Sequence, residues 1–248
     1  MRPTFTQTSH RPWPHPPLPY HWRQSWMDLA FAHWRIEADH VRPLLPPSLH
    51  LDTFDGSAWI GIVPFLMENV MRRGLPNLPG ISAFLELNLR TYVHYKGKPG
   101  VWFFSLDASN SLAVWAARRF FHLPYENADI EFTQTDDSYS FRSYRPNHPL
   151  AATFKARYRP TAPVALARPG TLEHWLTERY CLYAQSPNHT LYCAEVHHDP
   201  WPLQTAEMEI QQNDLLAPHG ISVSGPPETV HFAKALHVAV WNGKPVAP

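Results

Sequence analysis

In the stretch RQSWMDLAFAHWRI, Met27, Leu29, Phe31 and His33 alternate with Trp26, Asp28, Ala30, Ala32 and Trp34. A period of two residues is that of a β-strand, and both of its faces are largely apolar. A short helix is expected at EADHVRPLL, stopping at Pro46-Pro47, after which LHLDTFDGSAWIGIVPFLMENV reads as strand, Asp-Gly turn and strand. AFLELNLRTYVHYKGKPGVWFFSLDASN reads as a hairpin turning at KGKPG, between two runs rich in β-branched and aromatic residues. SNSLAVWAARRFF opens on Ser109 or Asn110 as a cap and stops at Leu123-Pro124, a helix of about three turns.

Further strands are expected at ADIEFTQT, SYSFRSYR, ATFKARY, LYCAEVHH and HFAKALHVAVW. A second helix, TLEHWLTERY, has Thr171 as its cap and Leu172, Trp175, Leu176 and Arg179 on one face. Strands outnumber helices, and no strand-helix-strand alternation appears, which disfavours a parallel sheet. The pattern predicts a mainly β (α+β) protein, an antiparallel barrel or cone with a few helices. The leader RPTFTQTSHRPWPHPPLPY has prolines too close together for helix or central strand, and little to bury. Residues 1–19 are therefore expected to form a flexible proline-rich arm, and residues 20–248 a single domain.

Composition narrows the function. The 248 residues carry 21 basic and 21 acidic side chains, so no net charge argues for nucleic acid or an anionic membrane as the partner. No charged-then-apolar leader opens the chain, and no apolar run approaches about 18 residues, so a cytoplasmic protein without a membrane anchor is expected. Cys181 and Cys193 without a second pair do not make a zinc site or a disulfide framework, and both read as buried thiols. The 27 prolines, 10 tryptophans and 16 histidines beside 17% charged residues point to an aromatic-rich interior with many short turns.

Chemistry concentrates in two places. In FLELNLRTYV, Glu86, Asn88, Arg90 and Tyr92 point one way while Leu85, Leu87, Leu89, Thr91 and Val93 point the other. On an edge strand the polar face would be wet; inside a barrel it would line a cavity. In the helix before ARRFFHLPYENA, Val114, Ala117, Arg118 and Phe121 share one face and Leu112, Trp115, Ala116 and Arg119 another. At least one arginine is thus expected against apolar surface, where its guanidinium needs a carboxylate or an anionic ligand. Glu86 is the candidate partner of Arg118. Tyr125, just past the turn, is a candidate proton donor or a plain pocket wall.

The remaining candidates are weaker. His33, on an otherwise apolar face, reads as a hydrogen-bonded core histidine or a ligand-binding group. Glu178 beside Arg179 reads as a structural pair or a pocket contact. Cys193, Glu195 and His197 share a strand face with His198 on the other, an incomplete zinc set, so no metal and no cofactor are expected. Of the five lysines, Lys96, Lys98, Lys155 and Lys244 fall on turns, a polar face or the tail, and Lys234 alone lies among apolar alternates.

FAHW, LDTFDGSAWIGIVPF, ELNLRTYV, GVWFFSLDASN, ARRFFHLPYENA, LTERY and HHDPW together resemble the YqjF-like domain-of-unknown-function family, whose fold is that of the acetoacetate decarboxylases. The likeness spans Gln24 to Trp241 and brings no established activity. In the decarboxylases an aromatic-x-Glu strand precedes a Gly-Arg-Glu helix that runs into Gly-x-Pro-Lys-Lys-x-Ala, whose first lysine forms the Schiff base. Here FLE supplies Glu86 and the later block matches at Arg118, Pro124 and Ala128, but Tyr125 and Glu126 replace both lysines. The resemblance thus implies a cavity without Schiff-base chemistry. A binder of a small organic molecule, aromatic or carboxylated, is expected. The alternatives are a lysine-independent proton-transfer enzyme or lyase using Tyr125, Glu86 and Arg118, or an interaction module using the proline-rich arm. Self-association into a homo-oligomer stays open.

Overall fold

The computed structural model describes residues 5–77, 80, 82–146 and 152–246, so the first four residues of the arm and the last two of the chain lie outside the described residues. Strand β1 (Trp22–Ile36) is followed by a single helical turn α1 (Ala38–Val41), β2 (His50–Leu51), β3 (Ala58–Arg72), β4 (Phe84–Tyr95) and β5 (Lys98–Ala108). Helix α2 (Ser111–Phe121) then leads into β6 (Tyr125–Asn127), β7 (Asp129–Thr135), β8 (Ser138–Tyr144), β9 (Thr153–Pro160) and β10 (Ala165–Leu166). The chain closes with α3 (Leu172–Thr177), β11 (Cys181–Gln185), β12 (Leu191–His198), β13 (Pro202–Asn213), β14 (Thr229–Val240) and β15 (Lys244–Pro245). The mainly β reading holds. The sequence pattern had marked neither β11 nor β13 as a strand, and α3 is shorter than its helical periodicity suggested.

Pairing runs β12-β11-β5-β4-β3-β1-β14, and β14 returns to β12 through Val196↔Val240 to His198↔Val238, so these strands close into a ring. Within it only β5 and β11 run parallel. The β4-β5 turn is the two-residue Lys96-Gly97, both at positive φ (49° and 77°), the backbone that suits a tight hairpin between twisted strands. A second antiparallel sheet, β13-β9-β8-β7, peels away from the ring at Gln204↔Phe232 and Thr205↔His231 and folds back over it.

This arrangement explains why β1 is apolar on both faces: both are covered. Ala30, Ala32 and Trp34 of β1, Ile60 and Ile62 of β3, and Leu87 and Leu89 of β4 pack against Tyr139, Phe141, Phe154 and Tyr158 of the second sheet. The opposite parity, with Leu29, Phe31, Val63, Phe65, Phe84 and Leu106, forms the interior of the ring. Two bulges adjust the parity between β1 and β3. Asp28 (φ 50°) adds a residue to β1 between Met27↔Leu66 and Ala32↔Ile62, so Trp26 rather than Met27 shares the inner face with Leu29 and Phe31. Asn69 (φ 52°) does the same on β3, carrying Met67 and then Val70 inward. The strict alternation read from Met27 to His33 is corrected on that account.

The described residues of the arm, 5–19, form no helix or strand, but they are docked rather than free. Arg11 is buried, with its Nη1 donating to the Val196 carbonyl (2.6 Å) and its Nη2 to Glu195 Oε2 (3.1 Å), and the Trp13 indole donates to the same carboxylate (2.9 Å). A guanidinium spent in this way on β12 ties the arm to the ring.

Candidate functional site

The ring interior is not filled. Beneath α2 lies a cavity of about 530 Å³, walled by Trp26, Leu29, Phe31, Phe65, Phe103, Leu182 and Trp201, and opening between α2 and the segment after β3, where Arg72, Leu75 and Leu112 stand exposed. Phe103 joins its lining to a separate apolar cluster of Trp59, Tyr92, Val101 and Leu176, the last from α3.

Helix α2 forms the lid of this space. Asn110 caps it, accepting from the backbone N–H groups of Leu112 and Ala113 (both 3.1 Å). Ala113, Ala116 and Ala117, at helical spacing, turn their small side chains to the cavity together with Phe121. The helix ends at His122, whose left-handed backbone (φ 56°) reverses the chain. Beyond Pro124 the chain enters β6, parallel to β5 with Leu106↔Tyr125 in register, and this register delivers the Tyr125 side chain inward.

There it meets Glu86. Asn88, Arg90 and Glu86 occupy the inward face of β4, and all three line the cavity and are buried. The Tyr125 hydroxyl donates to Glu86 Oε2 at 2.7 Å. Burial pushes the Glu86 carboxyl up to about 8; the Tyr125 hydrogen bond opposes this and the nearby Asp107 charge adds to it. Burial, then the adjacent carboxyl, drives the Tyr125 phenol well above its ordinary value. Glu86 is therefore largely a neutral acid at neutral pH, hydrogen-bonded to a phenol that keeps its proton.

Arg90 is a different kind of group. Its guanidinium lies over the rings of Phe31 (5.0 Å) and Tyr92 (5.6 Å). Nη2 donates to the Tyr92 hydroxyl (3.2 Å) and more weakly to the Leu176 carbonyl (3.5 Å). Among the described residues no carboxylate forms an ion pair with it, and its buried Nε has no hydrogen-bond partner; nor does Asn88 Oδ1. His33 sits behind them: the Tyr92 hydroxyl, which accepts from Arg90, is also hydrogen-bonded to His33 Nε2 at 2.6 Å. Burial and then the Arg90 charge hold the imidazole well below its usual range, so His33 is neutral.

The candidates thus separate. Glu86, Asn88, Arg90 and Tyr125 meet in one cavity, and His33 supports Arg90 from outside its lining. Arg118 does not belong to the group. Its side chain is 47% exposed on the outer face of α2, paired with Glu126 (2.6 Å) and donating from Nε to the Tyr125 carbonyl. The expected Arg118-Glu86 pair is corrected to Tyr125-Glu86, and neither α2 arginine is buried. Glu178 lies elsewhere too, accepting from the Trp201 backbone N–H (2.9 Å) and from the Tyr180 hydroxyl. Its neighbour Arg179 falls just past α3, ion-paired with Asp52 (2.5 Å) and stacked on Trp175 (4.3 Å). No lysine lines the cavity; Lys234, more than half exposed, pairs with Asp28. Among the described residues no three His, Cys, Asp or Glu side chains group as a metal would need. Nor does any described helix have the length and apolarity to cross a membrane.

An exposed pair of this kind contributes little. Replacing Arg118 with Met is therefore expected to change stability by no more than about 1 kcal/mol. Urea denaturation checks this; a loss of several kcal/mol would return Arg118 to the interior network.

The fold is that of the acetoacetate decarboxylase-like proteins. The structure resembles the enduracididine biosynthesis enzyme MppR complexed with pyruvate, with a TM-score of 0.67 at 13% identity over 93% of this chain and 91% of that one. It also resembles an acetoacetate decarboxylase-like enzyme from Sphingomonas wittichii RW1, with a TM-score of 0.65 at 11% identity over 93% and 94% of the two chains. Residues 23–237 match the DUF2071 family of uncharacterized conserved proteins, and the chain belongs to that family. It is 48% identical over 219 residues to the uncharacterized protein YqjF of Bacillus subtilis (strain 168), covering 88% of this chain and 90% of that protein.

Proposed function

We propose that the ring cavity binds a small organic acid with an apolar body, its carboxylate held by Arg90. The observation that carries this reading is the buried Arg90 guanidinium, which faces an apolar cavity with an unpartnered Nε and no carboxylate in ion-pair reach among the described residues. Arginine cannot shed its charge, and an uncompensated buried charge is costly, so a ligand anion relieves what the fold leaves open. Asn88 Oδ1 offers a second open contact, suited to a hydroxyl or amide donor. The aromatic walls fit the remainder of such a molecule. That a structure of this fold, MppR, is complexed with pyruvate agrees with a small acid as occupant.

Thermal-shift titration with pyruvate and with 4-methyl-2-oxopentanoate tests the proposal. At ligand concentrations near 100 times Kd, stabilisation of about 2.7 kcal/mol is expected. Arg90→Met should lose the shift for both acids. An unshifted wild type, or an Arg90→Met variant that binds as well as wild type, would overturn the reading.

A further inference from the structure

Carboxylate binding at Arg90 leaves the other half of the polar strand face unused. Glu86 and Tyr125 are both buried, both line the cavity, and share a 2.7 Å hydrogen bond. No cation pairs with Glu86 among the described residues, so the carboxyl is not a structural counter-ion. A buried carboxyl bonded to a phenol and open to a cavity is a proton-transfer arrangement rather than a packing solution.

We propose that Glu86 and Tyr125 transfer a proton between the carbon next to the carbonyl of a bound 2-oxo acid and its carbonyl oxygen, interconverting keto and enol forms. This rests on the carboxylate of that acid sitting at Arg90. Arg90 and Glu86 are four residues apart on one strand face, about 13 Å between Cα atoms at the usual strand rise. In a 2-oxo acid C3 lies only two bonds from the carboxylate carbon, so for one molecule to touch both, the Arg90 and Glu86 side chains reach toward each other over Asn88, with C3 on the Glu86 side.

The ionised Glu86 carboxylate takes the proton from C3. The C–H electron pair becomes the C2–C3 double bond, and the carbonyl π pair moves to oxygen, which takes the Tyr125 hydroxyl proton. Glu86 then passes its new proton to the Tyr125 oxygen across their hydrogen bond. The dyad is restored, and the net change is one proton moved from carbon to oxygen. No imine is involved, in keeping with a cavity without lysine.

The groups that act on Glu86 are Tyr125 from β6 and Asp107 from β5, the latter paired with Arg145, while Arg90 lies on its own strand. Burial in this setting places the carboxyl near 8, where a base is half formed at mildly alkaline pH and the reverse step still has an acid.

The test is hydrogen–deuterium exchange at C3 of pyruvate and of 4-methyl-2-oxopentanoate in D2O, followed by proton NMR, with binding read separately by thermal shift. Wild type is expected to accelerate exchange over buffer, with a rate that rises with pH and levels off above about 8. Glu86→Gln should retain binding and lose about 100-fold in exchange. Tyr125→Phe should also retain binding, with a smaller loss. Exchange at the buffer rate with the acid bound, or undiminished exchange in Glu86→Gln, overturns the dyad and leaves the binding reading intact. Failure of both acids to bind overturns the two together.

Discussion

Replacing Glu86 with Gln should stabilise the protein at pH 9 and leave it nearly unchanged at pH 4. The carboxyl titrates near 4.5 when the chain is unfolded and near 8 in the folded protein, chiefly because the ring interior withholds solvent from its charge. Below pH 4.5 both states carry the proton and Glu86 exacts no ionisation penalty. As pH climbs from 4.5 to 8 the unfolded chain releases the proton while the folded one retains it, so stability is lost across that window and stays lost above it. Gln keeps the shape and still accepts the Tyr125 hydroxyl, but never ionises. The variant should therefore gain on wild type through the window and exceed it by roughly 3–5 kcal/mol at pH 9. Groups common to both proteins cancel in the difference. Guanidinium denaturation of the two at pH 4, 6, 7.5 and 9 measures it, and a difference that does not change with pH would show that Glu86 is solvated. The gain in stability should accompany the loss of proton exchange, as expected where a group is kept for chemistry rather than for the fold.

The sequence carried the strand content, the β4-β5 hairpin and the one-sided polar face of β4, because each is written in local periodicity or turn chemistry. It could not say where that face pointed, since a wet edge and a lined cavity share one alternation. The decision lies in long-range closure, above all β14 returning to β12. Strand β11 is short, and β13 buries few of its residues, so neither carries a strong pattern of its own. The Asp28 bulge reversed the parity of β1 at a residue that looks like any polar position in a strand. Arg118 was misplaced for a clearer reason. Apolar residues were read on both arginine-bearing faces of α2, which put one arginine against apolar surface, whereas the helix turns Ala113, Ala116 and Ala117 inward and leaves Leu112, Trp115 and Phe120 at least half exposed. Small residues mark a close approach as surely as large ones mark a core, and their i, i+3, i+4 spacing was the signal available. Tyr125 and Glu86 were both legible as candidates, but their pairing depends on the parallel register of β6 on β5, which nothing local specifies.

Removing Arg145 should cost about 3–5 kcal/mol, the usual consequence of breaking a buried ion pair from one side. Arg145, just past β8, donates from Nε to Asp107 Oδ1 at 2.7 Å and from Nη2 to Ser105 at 2.8 Å, while Ser143 donates to Asp107 Oδ2 at 2.9 Å. Both members of the pair are wholly buried, and burial raises the Asp107 carboxyl despite the guanidinium against it. Arg145→Met leaves that carboxylate without its counter-charge between ring and second sheet, and it must either protonate or remain charged in apolar surroundings. An Asp107→Asn, Arg145→Met double variant has no charge to strand, and Ser143 can still bond the amide, so it should recover at least half of the loss. Urea denaturation of the two single variants and the double variant gives the coupling; additive losses would mean that the pair contributes nothing as a pair. The same double variant reaches the cavity, because the Asp107 charge helps to push Glu86 up. Without it the Glu86 midpoint should fall below wild type, and the pH at which the exchange rate levels off should fall with it. A network that joins the two sheets thereby also adds to the upward shift of the cavity carboxyl, whose main cause is burial.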